Sequence, residues 1–281
     1  MHAAREVLQV TAARDRRTQI VQIVSSDGWA GVGDLVRRFG VSEPSIRRDL
    51  ELLEMEGLVK RVHGGALSSS YNVQGDIYGQ RAAEHLEEKR RIAQEAVALI
   101  KPQDSLLLDS GSTVTEVARR IASDLPVNQT IRVVTSSLPA AQALTHRPDI
   151  ELVVIGGVYA HKYRTMIGPL AVAAMQGLHV DKVFLGAGGL SLESGLTADS
   201  LQEIEGLHAL SLAADKVVVV ADSSKVERRG MAVVMPLEDI DVLVTDSAAP
   251  PHFVDALQKL GVEVRLVCMT EAHPGLEREN S

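Results

Sequence analysis

Val41-Ser42-Glu43-Pro44-Ser45-Ile46-Arg47-Arg48-Asp49-Leu50, continuing through Leu53 to Gly57, decides how the first part of this chain is read. Ser42 is placed as an N-cap, and Pro44 falls in the first turn, where its missing N–H costs nothing. Ile46, Leu50 and Leu53 recur at i, i+4, i+7 and form a buried stripe. At 100° per residue, Pro44, Arg47, Arg48 and Glu51 then point outward, with Ser45 on the flank. Upstream, a first helix over residues 14–26 is stopped by Asp27-Gly28, and a short second helix over 32–39 is ended by Gly40. Downstream, residues 58–63 alternate apolar and basic like a strand, and Gly64-Gly65 turns it.

An arginine pair on a helix usually marks only a solvated face. Here it stands with three helices, a cap, a tight turn and a basic ribbon. That combination is the helix-turn-helix arrangement, whose second helix enters the DNA major groove by its N-terminal end. Ser42, Ser45, Arg47 and Arg48 are the expected contacts on the helix. Lys60, Arg61 and His63 are expected on the ribbon, lying as a wing against the phosphate backbone. Glu51, Glu54 and Glu56 would repel phosphate, so only the first half of the helix can lie close to DNA.

The rest of the chain reads differently. Residues 67–80, Ser-rich with Gly75 and Gly79, read as an exposed linker, and a charged helix is expected over 81–100. Short apolar runs then recur at 105–108, 131–134, 151–155, 182–185, 217–221, 241–244 and 263–267, mostly separated by helical stretches. Such runs imply an α/β domain with a mostly parallel, Rossmann-like sheet covered on both faces. The expected organisation is a winged helix-turn-helix domain at 14–66, the linker, an effector-sensing domain at 81–270 and a flexible tail at 271–281.

Composition agrees with two folded units. The 281 residues are 45% apolar and 23% charged, ordinary for a protein with a sizeable core. The net charge of −8 is unevenly spread: residues 1–66 hold 10 Lys/Arg against 9 Asp/Glu, and the remainder 19 against 28. Three Phe, four Tyr and one Trp argue against stacking platforms for single-stranded nucleic acid. One cysteine, Cys268, excludes an intrachain disulfide and a cysteine metal cluster, and it is expected in the core. No apolar run reaches membrane-spanning length and no signal-like segment opens the chain, so the cytoplasm is the default location.

Residues 41–50 together with 53–66 resemble the N-terminal signature of the DeoR family of bacterial transcriptional repressors. The resemblance runs on through Glu88-Lys89-Arg90-Arg91-Ile92-Ala93 and covers about residues 14–270. The family usually has Thr at the position of Ser45 and seldom Pro at 44, which bears on the bases read. The resemblance implies a sensor domain similar in fold to ribose-5-phosphate isomerase. One winged helix contacts few bases, so a homodimer or higher oligomer on paired half-sites of double-stranded operator DNA is expected.

The ends of the expected strands give the same domain a chemistry. They run into Asp109-Ser110-Gly111-Ser112-Thr113, Thr135-Ser136, Gly156-Gly157, Gly186-Ala187-Gly188-Gly189 and Asp222-Ser223-Ser224-Lys225. In open α/β sheets the ligand crevice lies outside the carboxyl ends of the strands. Residues 111–113 would open a helix, a ready anion site, and Lys225 adds a cation. A phosphate-bearing small molecule is therefore the expected effector, which the resemblance makes a phosphorylated sugar, with Asp109, Gly111, Ser112, Thr113, Thr135, Ser136, Gly157, Gly188 and Lys225 around it. Asp109 either orients hydroxyls or caps the following helix. Residues 161–164 either cover the ligand or form a solvated loop. The resemblance matches 111–113 and 221–225 to the phosphate and lysine loops of the isomerase. The acidic loop of that enzyme is replaced by Leu185-Gly186-Ala187-Gly188-Gly189, and Leu207 stands near the expected base, with Glu203 and Glu205 close by. A regulator without cofactor or metal is thus expected in place of an isomerase with an appended nucleic-acid domain. Residues 186–191 resemble a dinucleotide fingerprint only loosely.

Overall fold

Ile46, Leu50 and Leu53 are each no more than 2% exposed, packed with Ile20, Val24, Leu35 and Val59 into the core of the first domain. In this computed structural model the described residues are 2–27, 29–62, 64–68, 76–127, 129–200 and 214–268. The first domain comprises α1 (His2–Asp27), β1 (Trp29–Gly31), α2 (Val32–Phe39), α3 (Glu43–Met55), β2 (Val59–Val62) and β3 (Gly65–Ser68). The wing is a three-stranded antiparallel sheet in the order β1-β3-β2. Gly40 ends α2 in the left-handed conformation, φ 63°, and its N–H donates to the Val36 carbonyl. Buried Asp49 turns inward on α3 and accepts from Arg16 Nε at 2.6 Å, tying α3 to α1. α1 begins some twelve residues before the expected start, at His2.

The second domain continues with α4 (Ile77–Ala83), α5 (Leu86–Val97), β4 (Ser105–Leu108), α6 (Ser112–Asp124), β5 (Ile131–Thr135), α7 (Leu138–Leu144) and β6 (Ile150–Val154). After these come β7 (Val158–Ala160), β8 (Thr165–Ile167), α8 (Pro169–Met175), β9 (Lys182–Leu185), β10 (Gly189–Ser191), β11 (Gly195–Ala198) and β12 (Val217–Val220). The last elements are β13 (Ala232–Met235), β14 (Val242–Asp246), α9 (Pro251–Lys259) and β15 (Glu263–Val267). Seven strands form one parallel sheet in the order β15-β14-β12-β9-β4-β5-β6. Side chains alternate across it. Leu106, Leu108 and Phe184 pack with Ile92, Val117 and Ile121 of α5 and α6. Leu107, Val183 and Leu185 pack on the other face with Met175, Phe253 and Leu257. Chain order reverses between β4 and β9, so the carboxyl ends of these two neighbours form the switch point of the sheet.

The structure departs from the sequence reading in several places. The expected linker is strand at its start and helix at its end: Leu67 is fully buried in β3, and α4 begins at Ile77 with Asp76 as its cap. The single helix expected over 81–100 is two, broken where Glu84 is extended and His85 takes φ 50°. Cys268 is exposed, because β15 is an edge strand and the cysteine lies just past its end. Two small antiparallel units, β7-β8 and β10-β11-β13, were absent from the reading. The tail at 271–281 lies outside the described residues. Among the described residues, no helix is long and apolar enough to cross a membrane, and no group of three or more potential metal ligands occurs.

Candidate functional site

The outward face of α3 is built as its spacing dictates. Ser42, Glu43, Pro44, Arg47 and Arg48 are exposed, and Ser45 is half-buried on the flank. Ser42 occupies the N-cap position, but its hydroxyl lies 3.0 Å from the Ser45 hydroxyl and makes no bond to the helix backbone. Arg47 is held by Glu43 one turn earlier, at 2.8 Å through Nε and 2.6 Å through Nη2. Arg48 has no carboxylate within ion-pair distance among the described residues. On the wing, Lys60 is exposed, while Arg61 donates from Nη1 to Glu51 and from its backbone N–H to Glu54. The glutamates that follow the arginines therefore hold the wing against α3. His63 lies outside the described residues.

The second feature is a cleft at the sheet's switch point, with about 690 Å³ of empty space including its open mouth. Residues 109–113, Gly186-Ala187-Gly188 and Lys225 line it. Gly111, at φ 126°, lets the chain turn from β4 into α6, so the first turn of α6, whose N–H groups have no partner within the helix, lines the cleft. Asp109 does not cap α6. Its Oδ2 accepts from the Gly186 N–H at 3.3 Å, which pins the ends of β4 and β9 together.

Of the nine residues expected around an effector, six line this cleft: Asp109, Gly111, Ser112, Thr113, Gly188 and Lys225. Three do not, and each has a structural task instead. The buried Thr135 hydroxyl donates to the Leu108 carbonyl at 2.8 Å and accepts from the Ser137 N–H. Ser136 holds β8, its carbonyl accepting from the Thr165 hydroxyl and the Met166 N–H. Gly157 allows close approach, since a Cβ there would stand 2.8 Å from the Ile167 carbonyl oxygen. Residues 161–164 divide: Tyr163 faces the cleft, whereas buried Arg164 pairs with Asp76 at 3.1 Å and lies over the Tyr78 ring. Residues 186–191 run into strand β10 and not into a helix, so the dinucleotide reading falls. Glu203, Glu205 and Leu207 lie outside the described residues.

Sequence reasoning missed Tyr78, Arg81 and Lys89, which complete the lining. Lys89 is 2% exposed and lies 3.9 Å from Asp222 Oδ2, a buried oxygen with no hydrogen-bond partner. Burial lowers its pKa to about 8; Asp222 opposes the shift and Lys225 adds to it. The signal available in the sequence was a lysine on the apolar side of an otherwise charged helix. Arg81 donates to Asp199 at 2.7 Å, and Arg228 donates to the same carboxylate at 3.0 Å.

A three-helix reading head with a wing, joined to an α/β cleft, is the plan of a transcriptional regulator with its own sensor. Comparison with known proteins agrees. The DeoR-like helix-turn-helix domain matches residues 16–71, and the DeoR C terminal sensor domain matches 84–247. The chain belongs to the DeoR family of transcriptional regulators; it binds DNA and is not an enzyme. It is 33% identical over 262 residues to the putative aga operon transcriptional repressor of Escherichia coli O157:H7, covering 92% of this chain and 96% of that protein. It is 35% identical over 250 residues to the regulator GlpR of Haloferax volcanii, covering 89% and 96%. The L-fucose operon activator of Haemophilus influenzae is 30% identical over 240 residues, covering 85% and 93%. Ribose 5-phosphate isomerase A of Methanocaldococcus jannaschii aligns over 51% of this chain and 55% of its own, with 22% identity and a TM-score of 0.38, a likeness too distant to transfer chemistry.

Proposed function

We propose that residues 14–66 read operator DNA ahead of a carbohydrate operon, and that a phosphorylated sugar in the cleft of residues 81–270 weakens that reading. The observation that carries the sensor half is one cleft holding the N-terminal turn of α6, Lys89 and Lys225 at the switch point of a parallel sheet. Unpaired backbone donors and two ammonium groups suit a phosphate. Asp109 and the hydroxyls of Ser112 and Thr113 suit a polyol. For DNA, Arg48 grips base edges or phosphate, and Arg47 joins by exchanging Glu43 for DNA. Ser42 and Ser45 position the helix, while Lys60 and Arg61 meet the backbone. One winged helix touches few bases, so the binding unit is at least a homodimer on paired half-sites. It acts in the cytoplasm, at the nucleoid when bound.

Fluorescence anisotropy on DNA from upstream of its own gene, against an unrelated fragment at low and near-physiological salt, tests the reading. Fragment-selective binding released by one compound of a sugar-phosphate panel is expected. A thermal-shift screen runs alongside, since a ligand at one hundred times its Kd adds about 2.7 kcal/mol. No shift across the panel would leave a structural cleft and point to control by a protein partner.

A further inference from the structure

Helix α4 touches both functional regions. Tyr78 and Arg81 line the cleft. Ala83, near its other end, packs with Trp29 of β1 and Leu67 of β3 in a small apolar cluster of its own. Gly79 sits so close to the wing that a Cβ there would stand 3.0 Å from Leu67 Cδ2, and nearer still to the Asp76 carboxylate. Lys89 holds the far end of α4: its ammonium donates to the Arg81 carbonyl at 2.5 Å and to the Glu84 carbonyl. Those are carbonyls that a helix C-terminus leaves without partners. Lys89 also lines the cleft. An anion in the cleft, the Asp222 carboxylate 3.9 Å away and the end of α4 therefore draw on one cation. The junction is not fully satisfied, since among the described residues the buried Trp29 indole N–H has no acceptor, which disfavours the docked arrangement.

We propose that α4 carries the state of the cleft to the DNA-binding domain, with Lys89 as its latch. An anion draws the ammonium off the α4 carbonyls, and α4 then loosens its hold on Trp29 and Leu67. The ligand gains its differential affinity from the Lys89 charge freed in the undocked state, which a population shift requires. The ligand-driven half of this rests on the effector reading above; the contact between α4 and the wing does not.

Trp29 is the only tryptophan in the chain, so its emission reports the junction directly. Full-length Lys89→Met and Gly79→Ala are compared with wild type without any ligand, with circular dichroism confirming the fold. Both are expected to shift Trp29 emission to the red and to lower operator affinity about fivefold or more. Wild-type emission and affinity in a folded variant of either kind overturn the proposal. Inorganic phosphate and triose-to-hexose phosphates are then added to wild type. A thermal shift accompanied by a red shift of Trp29 supports it. A thermal shift with operator release but unchanged emission overturns the route and leaves the effector reading standing. No thermal shift from any probe removes the effector reading, and the ligand-free variants still decide the contact.

Discussion

Arg47 and Arg48 are neighbours with different prospects. Among the described residues Arg48 has no carboxylate to leave, whereas Arg47 must give up Glu43. Arg48→Ala is expected to lower operator affinity by ~1–3 kcal/mol, and Arg47→Ala by less; anisotropy titrations measure both. In the cleft, Ser112→Ala combined with Lys225→Ala is expected to abolish release by the effector while leaving operator affinity unchanged. Lys89 gives a pH signature. Its folded pKa of about 8 lies below the ordinary lysine value, so above that pH the folded protein sheds a proton that the unfolded chain keeps. Stability is therefore expected to rise with pH between about 8 and 10.5 and to be flat with pH below 8. Effector affinity is expected to move the other way, weakening above pH 8 as the ammonium is lost; calorimetry across that range checks the sign. Pattern revealed the arginines and the loop after β4, since each depends on local spacing. Lys89, Tyr78 and Arg81 escaped because their roles come from the junction of α4, α5 and the sheet.

Helix α3 was legible down to its turn because stripe, cap position and glycines all agree, the consistency expected of a well-specified element. Gly40 has open space around it but a left-handed backbone. Gly40→Ala should therefore cost about 1–2 kcal/mol from backbone strain alone, read by urea unfolding. The Glu51 tie on Arg61 suggests the opposite kind of variant. Glu51→Gln removes a charge that repels phosphate and frees a guanidinium, so tighter operator binding with a steeper salt dependence is expected. The break between α4 and α5 was illegible for a physical reason. No Gly or Pro marks it, and the end of α4 is satisfied by the ammonium of Lys89, a side chain from the next helix. The three-residue strands of the small sheets carry too short a pattern to read, and Cys268 was misplaced because an apolar run does not say whether its strand lies at an edge.

Across the whole molecule, alternating strand and helix was enough to foresee a parallel sheet, and the carboxyl-end loops marked where its cleft would open. How the two domains meet was not foreseeable. Arg90 of α5 reaches Asp34 of α2 at 2.9 Å, while Glu116 of α6 lies 3.9 Å from the same guanidinium. These contacts, with the Trp29, Leu67 and Ala83 cluster, have a practical consequence for anyone exchanging reading heads between regulators of this plan. A chimaera spliced after Ser68 would keep Trp29 and Leu67 but take its α4 from a foreign sensor, severing the apolar cluster at the seam. Moving the splice past Ala83 would keep that cluster whole but transfer the break to the sensor side of α4, where Asp76 meets Arg164, Arg81 meets Asp199 and Lys89 meets backbone carbonyls. Modularity in this molecule is therefore set by packing: α4 is shared by both domains, and a clean exchange must carry matching residues on both of its sides.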